Sequence, residues 1–444
     1  MSAILYNLSI YAYQSIIWLL SPFNKKAKLW IEGRSSMLDF RFSMFEAERR
    51  PQQTSNIENR SGTPPASNIA WFHCASLGEF EQGRPVIEKF KKTFPDYKIV
   101  LTFFSPSGYE VRKNYDGADF ICYLPSDTPS NARDFIEKIN PSIAFFVKYE
   151  FWYNYLRILH EKQIPVISFS AIFRPDQVFF QWYGSFHRNI LTYFDHIFVQ
   201  NQTSFDLLQS IGIQKVIIGG DTRFDRVKQI AGVRKTLPII EQFKDEKPLL
   251  IIGSCWQADF GVIVPFLNNF TKDLKVIIAP HEIHEAEIER WKKELKKESV
   301  RYSEVVTNAG RVQNPASVEV NNLFIDNIGM LSSLYQYADF AWIGGGYGKG
   351  LHNILEAATF GLPIFFGNKN YKKFQEAVDL QQLTGAKAIE NTREFALEFE
   401  KLYDDVILRK QKSDIIKKYV HDNLGGTDKI MTFVTTDSLV RRNT

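Results

Sequence analysis

The 444-residue sequence predicts an α/β protein of two Rossmann-like domains, each a parallel sheet flanked by helices. Three observations carry that expectation. Short apolar segments alternate with longer amphipathic ones, they fall into two series divided by a charged stretch, and one strand of the second series runs into a glycine-rich loop. Parallel strands buried on both faces read as continuous apolar runs, and each needs a crossover, usually helical, before the next.

Residues 1–24 contain no charged side chain, and the run from Ala3 to Leu20 is strongly apolar before Pro22 and the basic Lys25-Lys26-Ala27-Lys28. A basic leader region and a small-x-small cleavage site are both missing, so a membrane anchor or interfacial helix is expected rather than a secretory signal. About 20 residues just span a bilayer, but Asn7, Ser9, Gln14 and Ser15 dilute the run, so a spanning helix, one lying in the interface and one packed on the protein all stay open. If the segment spans, Lys25, Lys26, Lys28 and Arg34 place the next domain in the cytoplasm.

The first series of strands is expected at Ile69 to Phe72, Lys98 to Phe104, Phe120 to Leu124, Ile143 to Val147, Val166 to Phe169, Ile197 to Val199 and Val216 to Ile218. The second is expected at Leu249 to Ile252, Val276 to Ala279, Leu323 to Ile325, Phe340 to Ile343 and Ile364 to Phe366. The organisation read from these is an N-terminal domain at 25–225, a linker at 226–247, a C-terminal domain at 248–403 and a helical region at 404–444 bracing the two. Ligands of such folds bind outside the carboxyl ends of the strands, so a central cleft faced by both sheets is the expected site.

Composition excludes several classes. With 44% hydrophobic and 23% charged residues the chain is of ordinary globular character, and a net charge of +4 from 54 basic and 50 acidic residues gives no field for nucleic acid. Cys74, Cys122 and Cys255 are far apart and lack C-x-x-C spacing, which argues against a disulfide framework or a thiolate zinc site.

The loop Ile343-Gly344-Gly345-Gly346-Tyr347-Gly348-Lys349-Gly350-Leu351-His352-Asn353-Ile354-Leu355-Glu356 is the most informative segment. It is expected to deliver the chain into a helix whose first turn carries His352, Asn353 and Glu356. Glycines let backbone amides approach a phosphate, and a helix start favours negative charge. The loop matches neither G-x-G-x-x-G nor G-x-x-x-x-G-K-[ST], so an ordinary dinucleotide dehydrogenase or P-loop NTPase is not expected.

In the first domain the corresponding edge is Trp71-Phe72-His73-Cys74-Ala75-Ser76-Leu77-Gly78-Glu79. Glu79 falls in the first turn of a helix at the sheet's carboxyl edge, a place for a general base. Ser76-x-x-Glu79 is equally a capping box, and that reading stays open. Ser107-Gly-Tyr-Glu110 repeats the pattern and needs no catalytic role.

Five segments, Phe72-His-Cys-Ala-Ser-Leu-Gly-Glu79, Glu150-Phe-Trp-Tyr-Asn154, Gly220-Asp-Thr-Arg-Phe-Asp225, Ile252-Gly-Ser254 and Gly350-Leu-His-Asn-Ile-Leu-Glu356, occur in this order. Together they resemble the 3-deoxy-D-manno-octulosonic acid (Kdo) transferases of lipopolysaccharide synthesis, over nearly the whole chain. The resemblance implies a GT-B fold and an inverting, metal-independent, cofactor-free transfer of Kdo from CMP-Kdo to a lipid A precursor, at the cytoplasmic face of the inner membrane. It implies Glu79 as catalytic base, with Ser76, Gly78, Glu150, Trp152, Asn154 and Arg174 on the substrate side. Gly253, Ser254, His281, Gly345, Gly346, Lys349, His352, Asn353 and Glu356 then form the CMP-sugar side. No D-x-D motif occurs in the chain, in keeping with a metal-free departure of CMP.

The chain departs from the family pattern in three places. Leu351 stands where the family usually has glycine, Ala279-Pro-His-Glu-Ile-His-Glu285 replaces Pro-Arg-His-Pro-Glu-Arg, and Ser170-Ala-Ile-Phe-Arg174 lacks an arginine directly after the alanine. Lys349, Lys369, Lys372 and Lys373 offer replacement charge near the donor. His281-Glu-Ile-His284 raises a metal-site alternative, although the spacing is not H-E-x-x-H. For the acceptor, the N-terminal segment with its basic residues, or Phe179, Phe180, Trp182, Tyr183 and Phe186 beside Arg174 and Arg188, supply apolar and cationic surface. Another GT-B glycosyltransferase or nucleotide-sugar epimerase, and a noncatalytic membrane-associated binding protein, are the alternatives.

Overall fold

The computed structural model describes residues 2–35, 68–233, 236–307, 320–348 and 350–436. One compact unit runs to Arg226 and takes in the chain again from Leu424; the other is Val227–Asn423.

The first unit is built on β1 (Ile69–Cys74), β2 (Lys98–Phe103), β3 (Phe120–Tyr123), β4 (Ile143–Val147), β5 (Val166–Ala171), β6 (His196–Val199) and β7 (Val216–Ile218). They lie in the order β3-β2-β1-β4-β5-β6-β7, parallel throughout. Side chains alternate between two cores: Trp71, Val100 and Phe146 pack on one face, Phe72, Leu101 and Phe145 on the other. Burial on both faces is why these strands read as unbroken apolar runs. The Phe72 and Phe145 rings stack at 4.4 Å across the β1–β4 pair.

The second unit is built on β8 (Leu249–Cys255), β9 (Lys275–Pro280), β10 (Ser299–Arg301), β11 (Asn322–Phe324), β12 (Phe340–Ile343), β13 (Ile364–Gly367) and β14 (Ala386–Ile389). Their order is β10-β11-β9-β8-β12-β13-β14, again parallel. The pattern reading missed β10 and β14. Both are edge strands with a pairing partner on one side only: Ser299-Val-Arg301 and the middle of Ala386-Lys-Ala-Ile389 are half-buried, and neither has a long apolar run.

Two boundaries differ from expectation. The 226–247 stretch contains the end of the helix Arg223–Gly232 and the helix Pro238–Lys244, whose Ile240 and Phe243 are buried, while Leu237 N–H donates to the Tyr337 hydroxyl at 2.8 Å. Two apolar residues three apart suffice to pack one short helix, too weak a pattern to separate from a charged linker. The 404–444 region divides at 423/424: the helix Val406–Asp422 belongs to the second unit and Gly426–Thr436 to the first, where Ile430, Met431 and Val434 enter the core.

The motif Gly220–Asp225 turns out to hold this last helix in place. The Asp225 carboxylate accepts from Gly425 N–H and Thr427 N–H at 2.7 Å each, satisfying two otherwise unpaired donors at the helix start. Asp221 in turn receives Arg223 at 2.7 and 2.9 Å and the Gln82 amide at 3.1 Å.

At the N-terminus, α1 (Ala3–Leu20) and α2 (Lys25–Ser35) precede α3 (Leu77–Thr93). No residue of α1 is fully buried. Arg34, expected as a membrane-facing cation, is used internally: it donates to the carbonyls of Leu124, Phe104 and Trp30 and lies over the Trp30 ring at 3.8 Å. Ser105, not Ser107, caps the helix Pro106–Arg112.

Replacing Asp225 by alanine leaves two helix-start amides without acceptors and should lower stability by about 2 kcal/mol; urea unfolding of wild type and variant measures it as a reduced midpoint at unchanged slope.

Candidate functional site

The strand order reverses between β1 and β4 in the first sheet and between β8 and β12 in the second, where β10 and β11 are also transposed at the far edge. At each reversal the chain leaves adjacent strands in opposite directions, which opens a crevice beyond their carboxyl ends.

At the first reversal, β1 hands over to Ser76, which caps α3 by accepting from Gly78 N–H at 3.2 Å. The Glu79 carboxylate receives the Ser76 hydroxyl and stands 3.8 Å from the Lys148 ammonium. A capping box would have placed that carboxylate on the backbone N–H of Ser76; here the contact is side chain to side chain, and Glu79 stays partly exposed. Lys148 follows β4 directly and adopts φ 70°. A left-handed lysine costs about 1–2 kcal/mol, and such strain concentrates at functional edges.

Two residues on, Glu150 accepts from Trp152 Nε1 at 2.6 Å and lies 3.2 Å from His73 Nε2. The buried His73 is fixed on its other side by Thr102 Oγ1 at 2.8 Å. Ser76, Gly78, Glu79, Glu150 and Trp152 thus gather at one edge. Asn154 does not share that role: it is buried, and its amide donates to Asp127 O at 2.7 Å and Asn7 Oδ1 at 2.9 Å, tying the fold together. Arg174 is exposed beyond β5 and reaches the Tyr149 hydroxyl at 3.4 Å. Of the aromatic stretch, Phe179 is core, while Trp182 and Tyr183 face solvent.

At the second reversal the glycine loop follows β12. Gly345 has φ 91°, and a Cβ there would meet the Gly350 carbonyl and lie 2.9 Å from the His352 ring. At Gly346 a side chain would strike the backbone of Gly367. Gly253 and Ser254 close β8, where the register with β9 slips and Ser254 takes φ 52°.

Asp259, which sequence reasoning overlooked, organises this edge. It is buried, and its carboxylate accepts from Gly345 N–H at 2.9 Å, Trp256 N–H at 3.1 Å and Trp342 Nε1 at 3.3 Å. Burial pushes its carboxyl above the usual range. Trp256, also overlooked, stacks on His281 at 4.2 Å and donates from Nε1 to His352 Nε2 at 3.0 Å. That bond puts the imidazole proton of neutral His352 on Nδ1. Burial, then the neighbouring His281, lowers His352 to about 4.

The helix expected to open at His352 begins only at Leu355 and ends at Ala358. Asn353 instead makes a local turn, accepting from Leu355 N–H at 3.2 Å and donating to Glu356 at 3.1 Å. Four residues supply no useful macrodipole, and the N–H groups of Gly344, Gly345, Gly348, Gly350 and His352 are bonded within the fold. Lys349 lies outside the described residues, and Lys369, Lys372 and Lys373 are exposed. His281 sits in the Trp256 stack while His284 is exposed and pairs with Glu282 at 3.1 Å, so the two do not form a shared metal face.

Residues 42–226 match the family model for 3-deoxy-D-manno-octulosonic-acid transferase (kdotransferase). The chain is similar to the 3-deoxy-D-manno-octulosonic acid transferase of Chlamydophila psittaci, 26% identical over 68% of this chain and 70% of that protein. The Haemophilus influenzae transferase of the same name is 25% identical over 76% and 79%. The two-domain GT-B fold recurs in UDP-GlcNAc 2-epimerase from Neisseria meningitidis (15% identity, TM-score 0.58, covering 83% of this chain and 100% of that one). It recurs too in MurG from Acinetobacter baumannii (11%, TM-score 0.52, 83% and 98%).

His352 should titrate near pH 4 in histidine-resolved NMR, and Trp256→Phe should move the midpoint up towards the ordinary value of about 6.5. Because the folded form holds its proton less tightly than the unfolded one, this group's contribution to stability is complete above about pH 6.5 and is lost as pH falls towards 4.

Proposed function

Taking the chain as a glycosyltransferase related to the Kdo transferases, we propose that it transfers Kdo from CMP-Kdo to a lipid A precursor, with inversion and with Glu79 as general base. The observation that carries this reading is the carboxylate of Glu79, partly exposed at the β1–β4 reversal beside a hydroxyl and an ammonium.

The acceptor hydroxyl gives its proton to Glu79 as its oxygen bonds to the anomeric carbon of Kdo. The bond from that carbon to the CMP phosphate breaks on the opposite face, and CMP leaves with the electron pair. Lys148, 3.8 Å from Glu79, offers a cation to an anionic substrate group. In the second unit the N–H groups of Gly344, Gly345, Gly348 and Gly350 are bonded within the fold, and neutral His352 donates from Nδ1 to the phosphate without adding charge. Glu356, held by Asn353, suits the ribose hydroxyls.

The substrate pairing follows the family's chemistry, as does placement at the cytoplasmic face of the inner membrane. His73, Glu150 and Trp152 form a mutually bonded cluster that orients a carboxylate at the same edge as Glu79, on the acceptor side of the reaction.

The test supplies CMP-Kdo generated in situ and a tetraacylated lipid A precursor and follows product masses. Wild type should add Kdo, and Glu79→Gln should slow transfer by roughly 10²–10⁴-fold while still binding CMP. Undiminished turnover by the variant would reduce Glu79 to a partner of Ser76, and no product from folded wild type in lipid would point to another nucleotide-sugar donor.

A further inference from the structure

We propose that α1 lies flat in the lipid surface, docked along its length on the first unit, and does not cross the bilayer. This inference is independent of the transfer chemistry.

The helix is held at Tyr6 and Asn7 and again at Tyr13. The Tyr6 hydroxyl donates to Asp127 at 2.6 Å, the Asn154 amide donates to Asn7 at 2.9 Å, and the Tyr6 ring meets Tyr153 at 5.5 Å and Phe186 at 5.8 Å. Two turns on, Tyr13 packs against Trp30 at 6.0 Å and Phe104 at 6.3 Å. Ala3, Tyr6, Asn7, Ile10, Gln14 and Ile17 are the half-buried positions, and their spacing of three and four traces a single helical stripe. From Ala3 to Ile17 that stripe runs about 21 Å. A crossing helix needs about 20 residues in hydrocarbon, so crossing would strip away every one of these contacts and strand Asn7, Asn154 and Asp127.

The opposite face is apolar and bare. Ile4, Leu5, Leu8, Ile16 and Leu19 are 71%, 56%, 58%, 54% and 62% exposed, a row no globular surface leaves to water without a partner. It continues into a groove of about 620 Å³ between α1 and α2 walled by Trp18, Leu19, Trp30 and Ile31. Charge identifies the partner as an anionic bilayer leaflet. No acidic residue lies in α1, and the exposed Lys25, Lys26 and Lys28 follow it at headgroup level, next to Phe23 at 89% exposure.

Because Cys74, Cys122 and Cys255 are all buried, a single added cysteine reports cleanly. Full-length Ser2→Cys and Lys26→Cys are treated with a membrane-impermeant maleimide in membrane vesicles of each orientation. Both should label from the same side; Ser2→Cys labelling only from the side opposite Lys26→Cys would overturn the proposal. In parallel, the protein is floated with phosphatidylglycerol-containing vesicles. Leu5→Ser/Leu8→Ser/Ile16→Ser, all at exposed positions, should melt as wild type and partition roughly tenfold or more less into lipid. Unchanged flotation, or a water-soluble dimer that ignores vesicles, would give the face to something other than the leaflet and overturn it as well.

Discussion

The Asp259 carboxylate is the interaction on which the second unit's active edge depends. One buried group holds the Gly345 amide of the glycine turn, the backbone of Trp256 and the indole of Trp342, and so links the ends of β8 and β12 to the start of the helix Gln257–Asn269. Each bond offsets the penalty of burying the charge, and together they leave the loop one conformation. The stack of Trp256 on His281, the tautomer of His352 and the left-handed turn at Gly345 all follow from where that carboxylate sits.

The first unit solves a similar problem with more charge and less burial. Its edge gathers Glu79, Lys148, Glu150 and His73 around the reversal between β1 and β4, with Trp152 and Thr102 fixing the last two. Glu79 stays partly exposed, as the base proposed above requires, whereas Asp259, which shapes a loop, is sealed. The same rule of sheet topology places both clusters at the carboxyl ends of their strands.

How much of this was legible depends on the distance over which each feature is determined. Central strands, buried on both faces, were readable as apolar runs to within three residues; β10 and β14 were not, because an edge strand needs no such run. The glycine loop was visible, but the helix after it was placed three residues early, since the side-chain bonds of Asn353 compete with helical ones. Asp259 and Gly345 are 86 residues apart, and no local pattern marks Asp259 as a partner of the loop. Asn154 is a substrate-side residue only by the family resemblance of Glu150-Phe-Trp-Tyr-Asn154, and its amide faces Asp127 and α1. Lys148 carried a signal that went unused, a cation directly after a buried strand and two residues before Glu150. In α1 the docked face mixes Tyr6, Ile10 and Ile17 with Asn7 and Gln14, so the sequence leaves spanning, interfacial and packed helices open, and only the contacts distinguish the two faces.

The central claim is that the loop organised by Asp259 receives the nucleotide of the donor. Calorimetric titration of CMP into wild type, Asp259→Asn and Asp259→Ala tests it most directly. The account expects affinity to fall roughly five- to a hundredfold in the alanine variant, with asparagine between, as the Gly345 and Trp256 amides lose their acceptor. CMP affinity unchanged in a folded Asp259→Ala protein would contradict it.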